Sequence, residues 1–301
     1  MTAAPPRLFD RALHRAHLDR AAGHYAGFLK ARAAEDAAER LAGVLRDFPL
    51  AVDLGARDGA FARALQQSPA ASRIGTVIEA DLSGAMLRPR PAAIRVVADE
   101  ERLPFAPESL DLVVSLLSLH WTNDLVGALV QIRRALKPDG LFIGALLGGS
   151  TLVELRQSLI AAEAELLGGA GLRVSPFADG LDAAGLLQRA GFALPVSDVE
   201  RLTVRYTHPL KLMADLRAMG ETNALTDRAR RPLTRPVIAR ACEIYQERYG
   251  LPDGRIPATF EIVALTGWAP HASQPKPLRP GSAKMRLADA LGVVEHRLRD
   301  E

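Results

Sequence analysis

The chain of 301 residues carries a single cysteine, Cys242. That excludes an intrachain disulfide and any metal site built on cysteines. No apolar run approaches the ~18 residues that cross a bilayer, so no membrane-spanning helix is expected. There is no basic run and no interleaving of basic with aromatic residues, so nucleic acid is not an expected partner. Internal repeats and low-complexity tracts are absent as well. The opening MTAAPPRLFDRALHR lacks an apolar signal core and contains an acid that a transit peptide would avoid. A cytoplasmic location is therefore expected, with peripheral membrane association left open. What remains is ordinary: 48% hydrophobic, 24% charged, and a net charge of +3 in which arginine is the main cation. Such a chain has room for one large domain, or one domain with an insertion.

The stretch that organises the chain is FPLAVDLGARDG, residues 48–59. Leu50, Ala51, Val52 and Leu54 form a short apolar run suited to a strand buried on both faces of a parallel sheet. Asp53 places a charge near the carboxyl end of that strand. Gly55 and Gly59 follow in a tight turn, and AFARALQQ reads as a helix. In open α/β sheets ligands bind outside the carboxyl ends of strands, where glycine admits close approach and a helix start offers N–H groups. Alone, this pattern fits an ordinary strand–turn–helix corner equally well.

Acids at the ends of the next strands favour the ligand reading. RIGTVIEADL gives a second strand around Thr76–Ile78, with Asp81 at its end, 28 residues after Asp53. A carboxylate there can accept from the vicinal hydroxyls of a ribose. Leu82 follows it directly. Ile94–Val97 forms a third strand followed by Asp99 and Glu100, placed to bind an adenine amino group, with Leu103, Pro104 and Phe105 as apolar cover. The fourth strand, Ser109–Ser115, leads into Leu116 and LSLHWTND.

The remaining elements follow in order. A helical segment precedes the sheet, residues 1–47, with breaks at Gly23 and Gly27. An amphipathic helix over Asp124–Leu136 ends at Lys137-Pro138-Asp139-Gly140. Leu141–Leu146 is a fifth strand. Thr151 and Glu154 suggest a capping box for a helix over Leu152–Leu166. Val199–Tyr206 and Thr259–Trp268 read as two alternating strands that finish the sheet. Between them lies a helical insertion, about 207–257, with Leu210, Leu212, Met213, Leu216 and Met219 as its core and Gly220-Glu221-Thr222-Asn223 as a polar turn able to line a substrate mouth. A Pro-rich tail occupies 269–301.

The order VDLG, EADLS, VVADEERLPF, SLDLVVS, LKPDG resembles a class I S-adenosylmethionine-dependent methyltransferase. The resemblance implies an α/β, Rossmann-like fold with a seven-stranded, mostly parallel sheet over 48–268. ADEERLPF, SLSLHWTNDL, LKPDGLFIGALLGGSTLVELRQSL, DLRAMGETNAL, PATFEIVALTGW and SQPKPLRPGSAKM narrow it to the complex I assembly factor 5 family, matched from about Leu8 to Met285. A looser resemblance is to malonyl-acyl-carrier-protein O-methyltransferases of biotin synthesis. The first resemblance implies S-adenosylmethionine as cofactor, held by Asp53, Gly55, Arg57, Gly59, Asp81, Leu82, Asp99, Glu100 and Leu116. It also implies a protein partner, an arginine of a complex I peripheral-arm subunit, hydroxylated rather than methylated.

One departure stands out: Arg57 occupies a position where the family pattern has glycine. An arginine fits if its backbone angle is ordinary and its side chain points outward. It would then pair with the carboxylate of the cofactor's methionine moiety, or else it crowds the site.

The chemistry is less legible. Methyl transfer needs positioning above all. His120 is a candidate general base and Trp121 a candidate stacking face for a guanidinium. A capping or core histidine is an equally good reading of His120. No metal site is expected, and no flavin or haem signature is present. Three functions compete: an enzyme modifying a complex I arginine, an O- or N-methyltransferase of a carrier-bound acid, and a non-catalytic assembly factor.

Overall fold

The computed structural model describes residues 7–87, 94–175, 183–275 and 292. The apolar runs become a seven-stranded sheet with strand order β3-β2-β1-β4-β5-β7-β6. The strands are β1 (Phe48–Leu54), β2 (Ile74–Asp81), β3 (Ile94–Val97), β4 (Leu110–Leu116), β5 (Leu136–Leu147), β6 (Ala193–Tyr206) and β7 (Ile256–Trp268). The first five run parallel, and β7 runs antiparallel to both β5 and β6. The mostly parallel α/β sheet expected from the sequence is the one found. Its order reverses between β1 and β4, which is where such sheets bind ligands.

Alternate residues of the central strands feed two apolar layers. Ala51, Leu112, Val114, Ile143 and Phe260 face helices α2 (Phe28–Ala42), α3 (Ala60–Gln66), α6 (Val153–Leu167), α8 (Pro209–Ala218) and α9 (Arg235–Tyr249). Val52, Val113, Phe142 and Leu265 face α5 (Leu125–Ala135) and α7 (Ala183–Arg189). Both faces of β1 and β4 are covered, hence their mainly apolar sequence. A separate cluster joins α1 (Arg11–Ala21) to α4 (Gly84–Leu87) through Leu18, Ala21, Leu82 and Met86.

Local chemistry starts the helices. Asp10 caps α1 by accepting from Leu13 N–H at 3.0 Å, and Asp124 caps α5 by accepting from Gly127 N–H at 2.7 Å. The chain through Pro270 forms one unit and 271–301 another. The Pro-rich tail read from the sequence falls largely outside the described residues. Among the described residues no helix is long and apolar enough to cross a membrane.

Four local expectations are corrected. The fifth strand begins at Leu136, so Pro138-Asp139-Gly140 lies within it. A register shift between Leu110 and Leu112 absorbs the irregularity, and Asp139 N–H and Gly140 C=O both pair with Ala269. The capping box does not form. Leu152, at φ +55°, begins α6 without a side-chain cap, and Glu154 turns to Thr259, accepting from its N–H at 3.2 Å and from its hydroxyl. Of the last two strands only β6 alternates, because β7 is sandwiched between β5 and β6. Leu210 is not core: it is 51% exposed, whereas Leu212 on the same helix is fully buried.

That contrast yields a prediction. Leu212→Ala should lower the unfolding free energy by about 2–5 kcal/mol through lost burial and a cavity. Leu210→Ala should change it by no more than about 0.5 kcal/mol. Urea unfolding of both variants checks this, and equal losses would contradict the burial assignment.

Candidate active site

Four carboxylates gather at the carboxyl edge of the parallel strands. Asp53 lies near the end of β1, Asp81 ends β2, and Asp99 and Glu100 follow β3. Asp53, Asp81 and Glu100 are fully buried. Two glycines shape the turn above them. Gly55 has φ +78°, and a Cβ there would collide with the Ser118 side chain; Gly59, at φ +74°, starts α3.

Buried carboxylates must be paired or hydrogen-bonded. The donors to Asp81, Asp99 and Glu100 are two arginines, a serine hydroxyl and backbone N–H groups, and a buried lysine lies close by. Lys30 of α2 is buried beneath β1 and donates to the carbonyls of Gly55 (2.6 Å) and Leu116 (2.7 Å). Burial lowers its pKa, opposed chiefly by the charge of Asp53. Arg11 of α1 donates to Asp99 at 2.6 Å and also to Glu100. Burial opposes its charge, but Glu100 and Asp99 outweigh burial and its pKa is raised. Ser118 Oγ donates to the other oxygen of Glu100.

Arg57 corrects a sequence expectation on both counts. Its backbone is left-handed, at φ +49°, and its side chain points inward, only 1% exposed. Its backbone N–H and its Nη1 both donate to Asp81 Oδ2 at 2.8 Å. Asp81 Oδ1 accepts from Ser83 N–H at 2.8 Å. Among the described residues Arg57 Nη2 has no hydrogen-bond partner.

The carboxylates suit a nucleoside by type and position: an acceptor pair at the end of β2 for a ribose, acids after β3 for an adenine amino group, and backbone bare of side chains at Gly55 and Gly59, buried here in the turn that carries Arg57. Arg57 and Arg11 presently fill those acceptors. Leu82 packs with Leu18 and Met86, Leu116 lies in the core beside the Lys30 contact, and Gly59 sits at the helix start.

A chamber of ≈ 560 Å³ lies beside this cleft, past the ends of β4 and β5. Leu29, Leu155, Met213, Leu216 and Phe260 contribute apolar wall. Glu221 is the one carboxylate lining it among the described residues, with Trp121 next to it. Trp121 Nε1 donates to Glu221 Oε2 at 2.8 Å, and His120 Nε2 lies 3.4 Å from the same oxygen. Gly220 makes this possible. It has φ +78°, and a Cβ would come within 2.7 Å of Leu18, so glycine lets the turn pass beneath α1. The Trp121 ring is 3% exposed and carries His14 stacked on it at 4.2 Å. Trp121 therefore fixes a neighbour more than it offers an open stacking face.

Sequence reasoning missed several residues here. Lys30 and His14 lie on helices whose pattern reads as plain amphipathic surface. Arg228, Arg230 and Arg231 converge with Arg173 and Arg217 on the chamber although their sequence spacing is broken. Arg173 pairs with Glu163 and Arg228 with Asp10, whereas Arg217, Arg230 and Arg231 form no ion pair among the described residues. His17-Leu18-Asp19 has the H-x-D spacing of a facial triad, and the expectation of no metal site overlooks it. On α1 those two side chains leave different faces of the helix. His17 Nδ1 sits 3.1 Å from Thr222 O and Asp19 accepts from Ser83.

Comparison with known proteins bears on this geometry. The methyltransferase-domain family matches residues 52–144. The chain is 41% identical to the Danio rerio protein named "Arginine-hydroxylase NDUFAF5, mitochondrial", covering 94% of this chain and 89% of that one. With the Homo sapiens protein of the same name it shares 41% identity over 96% of this chain and 84% of that one. It is 35% identical to the malonyl-[acyl-carrier protein] O-methyltransferase of Methylovorus sp. (strain MP688), over 97% and 96%. A solved Bacillus halodurans C-125 structure described as a methyltransferase superposes with a TM-score of 0.54 at 14% identity. It covers 79% of this chain and 99% of that one, a likeness of fold.

The buried His14 makes stability depend on pH. Burial, then the charges of Arg57 and Arg11, with His120 and His17 nearby, hold its pKa well below 6.5. Neither of its ring nitrogens has a partner among the described residues. The unfolded chain protonates near 6.5, so the stability of neutral His14 is whole above that pH. It is lost as pH falls below it, by up to ~1.4 kcal/mol per pH unit. His14→Phe keeps the stack on Trp121 and removes the titration. Between pH 7.5 and 5.5 the parent should lose about 1 kcal/mol more than the variant in denaturant unfolding. Equal losses would show that His14 is not the group responsible.

Proposed function

The chain belongs to the arginine-hydroxylase NDUFAF5 family, within the class I S-adenosylmethionine-dependent methyltransferase superfamily, and from that premise we propose that it hydroxylates an arginine side chain of a protein, a complex I peripheral-arm subunit. The chamber carries the proposal. Its one carboxylate among the described residues, Glu221, is held in place by Trp121, and apolar wall surrounds it. A guanidinium brings a charge-assisted bond to Glu221, while its hydrocarbon stem lies along Leu155, Met213 and Leu216. His120, close to the same oxygen, holds or takes a proton at Nε2. Arg217, Arg230 and Arg231, which form no ion pair among the described residues, favour a target whose arginine is flanked by acidic groups.

The nucleoside of S-adenosyl-L-methionine belongs at the strand ends: the ribose on Asp81, the adenine amino group near Asp99 and Glu100, and the chain of the cofactor over Gly55 and Gly59. Once bound, the cofactor would supply a sulfonium centre with an activated methyl group, the chemistry of methyl transfer. Hydroxylation instead takes its oxygen atom from dioxygen, with a two-electron reductant, the second oxygen leaving as water. Lys30 supports the floor of that cleft by donating to the carbonyls of Gly55 and Leu116. We take the compartment to be the cytoplasm, although the named relatives are mitochondrial. A second reading, methyl transfer to an acid on an acyl carrier, is favoured by one observation: an arginine-rimmed apolar chamber also suits an acidic carrier.

Peptide mass spectrometry of the peripheral-arm subunits, with and without this chain, tests the proposal. An arginine peptide should gain one oxygen only when the chain is present. Glu221→Gln should cut that gain at least about tenfold, the worth of one charge-assisted bond. A gain of one methylene on a carrier-bound acid would favour the second reading, and no change on any subunit would overturn the first.

A further inference from the structure

The structure assigns Arg57 as a latch that occupies the ribose acceptor, Asp81, and must leave before the nucleoside binds. The inference rests on the strand-end cleft being the nucleoside site. Counting acceptor positions carries the argument. A carboxylate offers about four lone-pair sites. Asp81 already uses three: Oδ2 takes the Arg57 backbone N–H and Nη1, and Oδ1 takes Ser83 N–H. The vicinal hydroxyls of a ribose need two. Two of the present donors are backbone groups fixed by the turn. Only the Arg57 guanidinium rides on a side chain that can swing away.

Volume leads to the same conclusion. Arg57 is among the largest fully buried side chains of the protein, and it fills the space directly beside Asp81. The closed arrangement is also poorly satisfied. Arg57 is a non-glycine residue at φ +49°, which strains the backbone, and its Nη2 makes no hydrogen bond among the described residues. An arginine that keeps a strained, incompletely bonded position is held there by Asp81. A ligand that takes Asp81 removes the hold.

Equilibrium calorimetry with two ligands tests this. S-adenosylhomocysteine carries the amino-acid carboxylate, and 5′-methylthioadenosine has the same nucleoside without it. The latch predicts that Arg57→Gly binds both ligands more tightly, each by about tenfold, because competition for Asp81 is relieved. Arg57→Asn, which tolerates the same backbone angle and carries no charge, should shift both in the same direction. If Arg57→Gly weakens S-adenosylhomocysteine and leaves 5′-methylthioadenosine unchanged, Arg57 instead pairs with the cofactor's carboxylate and the latch is wrong. Equal affinities in parent and variants also overturn the latch while leaving the nucleoside site standing. If folded parent and variants bind neither ligand, the nucleoside site falls and the latch with it.

Discussion

Four carboxylates cannot sit together at the edge of a buried sheet without compensation. Burying even one uncompensated carboxylate costs several kcal/mol. This constraint organises the first half of the chain. Lys30 reaches from α2, Arg11 from α1 and Arg57 from the glycine turn, each toward a different part of the acidic edge. The N-terminal helices are thus more than a cap. They bring two of those cations, Arg11 and Lys30, and α1 carries His14 onto Trp121. In the proposed reading, the nucleoside site and the means of closing it are built from the same residues.

The second half of the chain builds the other wall. The insertion between β6 and β7 supplies α8 and α9. Gly220 then turns the chain beneath α1, so that Glu221 meets Trp121 from β4's carboxyl side. The chamber therefore draws its walls from distant segments: α2, the β4 loop, α6 and the insertion. A strand-end cleft for a nucleoside and a chamber with a single acid adjoin each other. That adjacency is what a group-transfer or side-chain-modifying enzyme of this superfamily requires.

The sheet was legible because its strands are short apolar runs closed by acids and glycines, a pattern that period and punctuation reveal. Asp81, Asp99 and Glu100 could be placed at strand ends for the same reason. The partners of those acids could not. Lys30 and Arg11 are charges on amphipathic helices, and nothing in helical spacing distinguishes a solvated lysine from one buried on two carbonyls. Arg57 was visible as a departure from a glycine pattern, but its inward side chain depends on the depth of the turn. Leu210 was misplaced because the apolar stripe of α8 is wider than its buried face. The β5 boundary was misplaced because a bulge let Pro138 and Gly140 stay in the strand.

The central claim is that Asp81 is the ribose acceptor of a nucleoside cleft. Its most direct measurement is calorimetric titration of S-adenosylhomocysteine into Arg57→Gly protein and into the same protein carrying Asp81→Asn. The glycine background removes the arginine that the loss of Asp81 would otherwise strand. Affinity should fall by about tenfold or more when the carboxylate is replaced. Undiminished affinity in the folded double variant would contradict the account.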